Sequence, residues 1–333
     1  MKERQPTDSA APLAAGKQQG KRPPFRELLA ASLKSRDTEE WIDIYFTRPI
    51  GLAFALFWHR IGVTPNAITI LSIFLGVSAG VMFYFTDITY NIIGVVLLML
   101  ANFCDSTDGQ LARLTNQRSM KGRCLDGFAG DTWFFAIYLA IVLRLWHQPM
   151  PGTMEVWGFW GLALAAIAGL LSHSHQSAIS DYYRQIHLFF LKGKEGSELD
   201  SYTAEHAIAE SLRGKKGVFW ERAFHYNYQH YCHRQEKRTP AFQKLRAALK
   251  EKYGQVENIP QEWKDKFLSG SRPLMPLTNF LTFNSRAILI YATCLTDCPW
   301  VYLIAEITLY NVVYIYMHKR HEDLCRSSLP KAD

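Results

Sequence analysis

Cys104-Asp105-Ser106-Thr107-Asp108-Gly109-Gln110-Leu111-Ala112-Arg113, followed after eight residues by Gly122-Arg123-Cys124-Leu125-Asp126-Gly127-Phe128-Ala129-Gly130-Asp131, is a polar island in an apolar part of the chain. An apolar run at 88–103 leads into it and another at 134–145 leads away. Carboxylates at the end of a bilayer span are costly, so they tend to be kept for a purpose and held by a partner. The reading of this stretch depends on whether its surroundings cross a membrane.

Working outward, residues 67–85 contain no charge and are long enough for the roughly 20 residues that a bilayer requires. Thr64-Pro65-Asn66 reads as the start of that helix, with Thr64 as N-cap and Pro65 at the first helical position. Further apolar runs fall at 128–145, 156–179, 280–295 and 300–317. With 88–103 this predicts an all-α polytopic membrane protein of about six transmembrane helices. The average hydropathy of the chain conceals this, because apolar residues and charges lie in separate runs.

Five regions follow. Residues 1–36 read as a disordered basic tail without the apolar core of a signal peptide. Residues 37–191 hold spans one to four with the acidic motif, preceded by interfacial amphipathic helices within 38–57, where Trp41, Tyr45 and Phe46 mix with Glu39, Asp43 and Arg48. Residues 192–272 form a polar insert, 273–320 hold spans five and six, and 321–333 are a tail. His225, His230, Cys232 and His233 in the insert match no usual zinc spacing. Six cysteines without CxxC pairs suggest no disulfide framework.

Charge predicts the orientation. The turns at 86–90, 147–155 and 296–299 lack Lys and Arg, whereas Arg113, Arg118, Lys121, Arg123, Lys319 and Arg320 collect on the other side. Both termini and the acidic motif are therefore expected to face the cytoplasm, in an inner membrane. The formal net charge of +7 then serves anionic lipids rather than nucleic acid.

On a helix advancing about 100° per residue, Asp105, Asp108 and Ala112 fall near one face, with Arg113 beside them. Gly109 removes a side chain where a ligand would approach. Gly122 and Asp126 are four apart and stack on the next span. Two neighbouring spans can therefore bring three carboxylates together, which like charges tolerate when a divalent cation sits among them. An arginine beside carboxylates and metal suits phosphoryl transfer.

Asp105-x2-Asp108-Gly109-x2-Ala112-Arg113-x8-Gly122-x3-Asp126 resembles the signature of the CDP-alcohol phosphotransferases, also called CDP-alcohol phosphatidyltransferases. The resemblance implies a membrane transferase that cleaves a CDP-linked donor, releases CMP and joins the remaining phosphoester to an alcohol. It implies two divalent cations, Mg2+ or Mn2+, on Asp105, Asp108 and Asp126, a nucleotide seated by Gly109, Ala112, Arg113 and Gly122, and a homodimer. The signature's fourth aspartate, a metal ligand that also helps deprotonate the acceptor, belongs at Gly130. Here the carboxylate comes one residue later, at Asp131. Asp131 joins Asp126 as a catalytic candidate and metal ligand if the helix carries a π-bulge, which Gly127 and Gly130 would ease.

The expected donor is a CDP-linked lipid or alcohol, and the acceptor a small alcohol or a lipid alcohol. CDP-diacylglycerol with inositol or a polyol phosphate comes first, because basic residues flank the site. Head-group transfer of the CDP-choline or CDP-ethanolamine type stays open, as does transfer of a phosphoinositol-type group to a sphingolipid. From another class, a non-catalytic scaffold with a decayed site is the competitor. His173, His175, Gln176, Ser177, Asp181 and Arg184 on the fourth span either line an acceptor pocket or bond between helices, and Arg286 either binds an anionic acceptor or snorkels to headgroups.

Overall fold

The computed structural model describes residues 23–215 and 217–330 of the 333-residue chain. Every regular element among them is helical, with one isolated bridge between Pro149 and Val156. Two compact units are present: Met1–Ala165 with Ile288–Tyr302, and Ala166–Ala287 with Leu303–Asp333.

The first unit starts with α1 (Phe25–Ser32), which lies inside the region read from sequence as a disordered tail. The correction has a physical reason: Leu28 and Ser32 are buried, with Leu28 packed on Leu52 and Leu114, so tertiary contact supplies what the local composition lacks. Residues 1–22, the rest of that expected tail, lie outside the described residues. A π-helical turn (Asp43–Thr47) runs into α2 (Arg48–Arg60). The two faces of this segment differ as expected of an amphipathic helix: Gly51, Leu52 and Ala55 are buried, while Trp41, Tyr45, Phe54 and Phe57 are exposed.

Next come α3 (Pro65–Tyr84), α4 (Ile88–Leu114) and α5 (Met120–Leu145). Thr64 stands at the N-cap of α3 and Pro65 in its first turn, but the Thr64 side chain makes no capping bond. Asp87 does cap α4, accepting from Thr89 N at 2.7 Å, a bond that holds its carboxyl below the usual range. The helices approach closely where side chains are smallest. A Cβ on Gly76 of α3 would lie 2.1 Å from the Trp133 ring of α5, and one on Gly80 would lie 2.9 Å from the Ala136 backbone. Such contacts are how apolar helices gain packing energy where water supplies no driving force.

Arg144 locks one end of this bundle. Its Nη1 donates to Phe83 O (3.0 Å) and Asn91 Oδ1 (2.8 Å), and its Nη2 donates to Cys294 O (3.2 Å) and Asp297 Oδ1 (2.6 Å). The charge is buried, fully bonded and paired, as a guanidinium in such a place must be.

The remaining elements are α6 (Gly158–Ala166), a π-helix (Ile167–His173), α7 (Ser174–Lys192), α8 (Tyr202–Ser211), α9 (Phe219–Arg238), α10 (Pro240–Tyr253), α11 (Gln261–Ser271), α12 (Met275–Phe280), α13 (Phe283–Leu295), α14 (Trp300–Ile307) and α15 (Leu309–Ser327). The polar insert is thus largely helical, and α15 runs into residues assigned from sequence to the C-terminal tail. Among the described residues, four helical stretches are long and apolar enough to cross a membrane: Pro65–Tyr84, Ile88–Leu114, Met120–Leu145 and Trp300–Ser327. The expected fourth span is divided into α6, the π-helix and α7, and α7 carries Asp181, Arg184 and His187. The expected fifth is α13, whose 13 residues reach roughly 20 Å against a hydrocarbon core of roughly 30 Å.

Candidate active site

The motif occupies the last three turns of α4 and the first turns of α5. Ser119 caps α5, accepting from Gly122 N at 3.0 Å, and fixes where that helix begins. Asp105, Asp108 and Asp126 each offer a carboxylate oxygen, and these oxygens lie within 4.8 Å of one another. Among the described residues this is the one such group of His, Cys, Asp and Glu. It is graded in exposure: Asp108 is buried, Asp105 half-buried and Asp126 exposed, so the group opens on the Asp126 side. Three carboxylates this close repel unless a cation stands among them, and hard oxygen donors suit magnesium or manganese.

Asp108 is oriented from α3, where Thr69 Oγ1 donates to its Oδ2. Thr69 lies one turn beyond Pro65, whose carbonyl its hydroxyl also contacts at 3.2 Å. Asn66 is nearby, since a Cβ on Gly122 would sit 3.1 Å from its Oδ1. The first turn of α3 therefore closes one side of the site.

Gly109 has a different neighbour from the ligand expected of it. A Cβ there would lie 3.2 Å from Arg113 Nη1, so the missing side chain makes room for the arginine of its own helix. Arg113 Nε donates to Ser32 O at 2.5 Å, and its Nη2 is buried with no hydrogen-bond partner. A guanidinium anchored at one nitrogen with a buried donor left over is disposed to take a phosphate oxygen. Ala112 precedes it, half-buried on the same turn.

The segment before the first span supplies a further set of contacts. Gln110 Nε2 donates to Ser32 Oγ (2.9 Å) and Arg48 O (3.0 Å). Arg48 donates to Ser106 Oγ (3.3 Å) and pairs with Glu39 at 3.0 Å. Burial pulls the Arg48 pKa down, but Glu39, Asp43 and Asp105 outweigh it and hold it above its ordinary value. Gly51 allows this close docking, because a Cβ there would lie 2.5 Å from Gln110 Oε1. Thr69, Asn66, Arg48, Glu39 and Ser32 are absent from the sequence-based set. Thr69 was detectable as one turn after a helix start; the others belong to pairings that no helical period links.

Asp131 stands apart from the three carboxylates. The condition for its return was a π-bulge, and α5 is α-helical without interruption from Met120 to Leu145. Asp131 therefore stays one residue off the Asp126 face; it is exposed and is no member of the carboxylate group. Gly130 stands on that face instead, and a Cβ added to it meets nothing within 4 Å.

In the second unit, the residues singled out on the fourth span separate. Gln176 is fully buried, accepting from Arg286 Nη2 (2.6 Å) and donating to Asn311 Oδ1 (2.9 Å) and Glu306 O (3.1 Å). Arg286 pairs with Glu306 at 2.5 Å and is 1% exposed, so it neither snorkels nor presents itself to solvent. His173 is 3.8 Å from Glu306. His175 bonds to Leu171 O, and Asp181 accepts from Gln185; Ser177 and Arg184 are half-buried on α7. In the insert, His225 is taken by Glu205 at 2.7 Å.

The family model of the CDP-alcohol phosphatidyltransferases matches residues 62–190. Its members are transferases of phosphate-containing groups, and the match runs from before Thr64 across the acidic motif to within two residues of the end of α7. No curated protein sequence matches the chain significantly.

Proposed function

We propose that this transferase moves a phosphatidyl group from a CDP-activated lipid to a polyol or polyol phosphate, releasing CMP, at the cytoplasmic face of an inner membrane. The observation that carries the reading is the pairing of three carboxylates within 4.8 Å with a buried, unpartnered guanidinium nitrogen on Arg113. The donor set fits two divalent cations: Asp105, Asp108 and Asp126 would hold them, with Thr69 orienting Asp108. Bound there, the cations would neutralise diphosphate charge and ease departure of the leaving group.

The residues of the chain supply the rest. Arg113 Nη2 takes a diphosphate oxygen and aligns the donor. The acceptor hydroxyl oxygen forms a bond to the lipid-bearing phosphorus, the bond from that phosphorus to the CMP oxygen breaks, and CMP leaves with the bonding electrons. Asp126, on the open side, takes the hydroxyl proton. Arg118, Lys121 and Arg123 flank the motif and favour an anionic acceptor or headgroup. The active form is a homodimer, with both termini in the cytoplasm.

Gly130 favours a second reading. Open space where a fourth carboxylate would stand suits a bulkier acceptor, as in head-group transfer to a lipid alcohol or phosphoinositol transfer to a sphingolipid. Membranes containing the full chain, supplied with magnesium or manganese and a matrix of CDP-donors and alcohols, distinguish these. CMP release from CDP-diacylglycerol with a polyol supports the first reading, and release only from CDP-linked head groups supports the second. No release from any pair leaves a scaffold with a decayed site.

A further inference from the structure

The first turn of α9, in the polar insert, carries two aromatic side chains that the fold leaves exposed. Phe219 and Trp220 are 71% and 83% exposed, with ring centroids 5.3 Å apart. Near them in sequence Arg213, Lys215 and Arg222 are also exposed, Arg213 bonding to Glu210 at 3.4 Å. The turn leading into α9 contains Gly214 and Gly217, whose φ values of +78° and +80° favour glycine, and Leu212 at its start is buried. Residues 213–222 contain four basic side chains against the single acid Glu221.

An exposed aromatic pair with basic side chains close in sequence has a specific match. Trp rings settle at the level of lipid headgroups, Phe buries its apolar ring at the headgroup–acyl boundary, and Lys and Arg nearby gain from anionic lipid within a Debye length. We propose that this turn is a membrane-docking tip that places Phe219 and Trp220 in the headgroup layer of an anionic bilayer. The inference is independent of the chemistry proposed above. It concerns how the insert is held, and it lies outside the residues matched by the family model.

The test uses the full chain with an environment-sensitive fluorophore on Phe219→Cys, keeping Trp220, and with the unsubstituted protein as background for the six native cysteines. The protein is placed in detergent, in phosphatidylcholine nanodiscs, and in nanodiscs doped with phosphatidylglycerol. The expected result is at least about threefold slower iodide quenching in the anionic discs, with quenching by lipid-borne doxyl groups. The combined substitution Arg213→Glu, Lys215→Glu and Arg222→Glu should abolish the difference. Equal iodide quenching in detergent and anionic discs would overturn the proposal. So would equal protection in neutral discs, or protection in detergent that grows with protein concentration, which would identify a second copy as the occupant.

Discussion

Asp126 and Gly130 stand one turn apart on the same face of α5, and Asp131 is rotated by about 100° from Gly130 around that helix. The carboxylate group therefore has three members where the family signature has four, and a gap lies where the fourth would be. The gap is not filled by any atom within 4 Å of a Cβ on Gly130. A side chain can be added there without displacing a neighbour.

Gly130→Asp should accordingly fold and accumulate like the unsubstituted protein, and it should bind divalent cations more tightly. The measurement is the metal concentration giving half-maximal CMP release, expected to fall by about tenfold, the scale at which supporting ligand contacts act. An unchanged or higher concentration would contradict the stacking of residues 126 and 130.

Thr69→Val removes the hydroxyl that donates to Asp108 while keeping its shape. The expected effect is a rise of about tenfold in the metal concentration needed for turnover, with little change in the rate at saturating metal. Thr69→Ser, which restores the donor, should recover most of the loss. A fall in saturated rate with unaltered metal dependence would place Thr69 elsewhere in the mechanism.

Arg48 lies outside the residues matched by the family model, yet it bonds to Ser106 between two of the carboxylates. Arg48→Ala leaves the buried Glu39 carboxylate without its guanidinium, at a cost of about 3 kcal/mol. Adding Glu39→Gln should recover that stability in thermal unfolding. It should not recover activity, because Ser106 and Asp105 still lack their support. Full activity in the double variant would reduce Arg48 to a purely structural pair.

Arg144 bonds to α3, α4 and the turn at Asp297 at once. Arg144→Ala should lower stability by about 3 kcal/mol, since it takes a buried donor from the Phe83 carbonyl and the Asn91 amide oxygen and breaks the pair with Asp297. Asp297→Ala should cost less, because the Asp297 side chain is 53% exposed. Equal thermal midpoints for Arg144→Ala and the unsubstituted protein would show that the other contacts suffice.

Much of the site was legible because its logic is local. Asp105 and Asp108 share a face through a three-residue spacing on one helix, and Asp126 needs only an adjacent antiparallel helix joined by a short turn. What sequence could not supply was pairing across elements without a common period. Ser32 beneath Arg113, Glu39 with Arg48, and Gly51 against Gln110 each depend on how a short helix docks. The same limit explains α1, where a composition suggesting disorder is overridden by burial of Leu28. Asp131 was the opposite case. Its participation requires a break in helical register between Asp126 and Asp131, and the uninterrupted α5 does not provide one. On the fourth span, hydropathy registered an apolar run but not its division by a π-helix at Ile167–His173.

The central claim is that Asp105, Asp108 and Asp126, without Asp131, form the working metal site. The direct measurement is metal-dependent CMP release from the most active CDP-donor, by membranes containing matched amounts of Asp126→Asn or Asp131→Asn protein. Asp126→Asn should lose at least about 1,000-fold, as expected when a ligand and proton acceptor are lost together, and Asp131→Asn should stay within about twofold, as for a substitution outside the site. Equal and severe loss in both variants, or normal turnover in Asp126→Asn, would contradict the account.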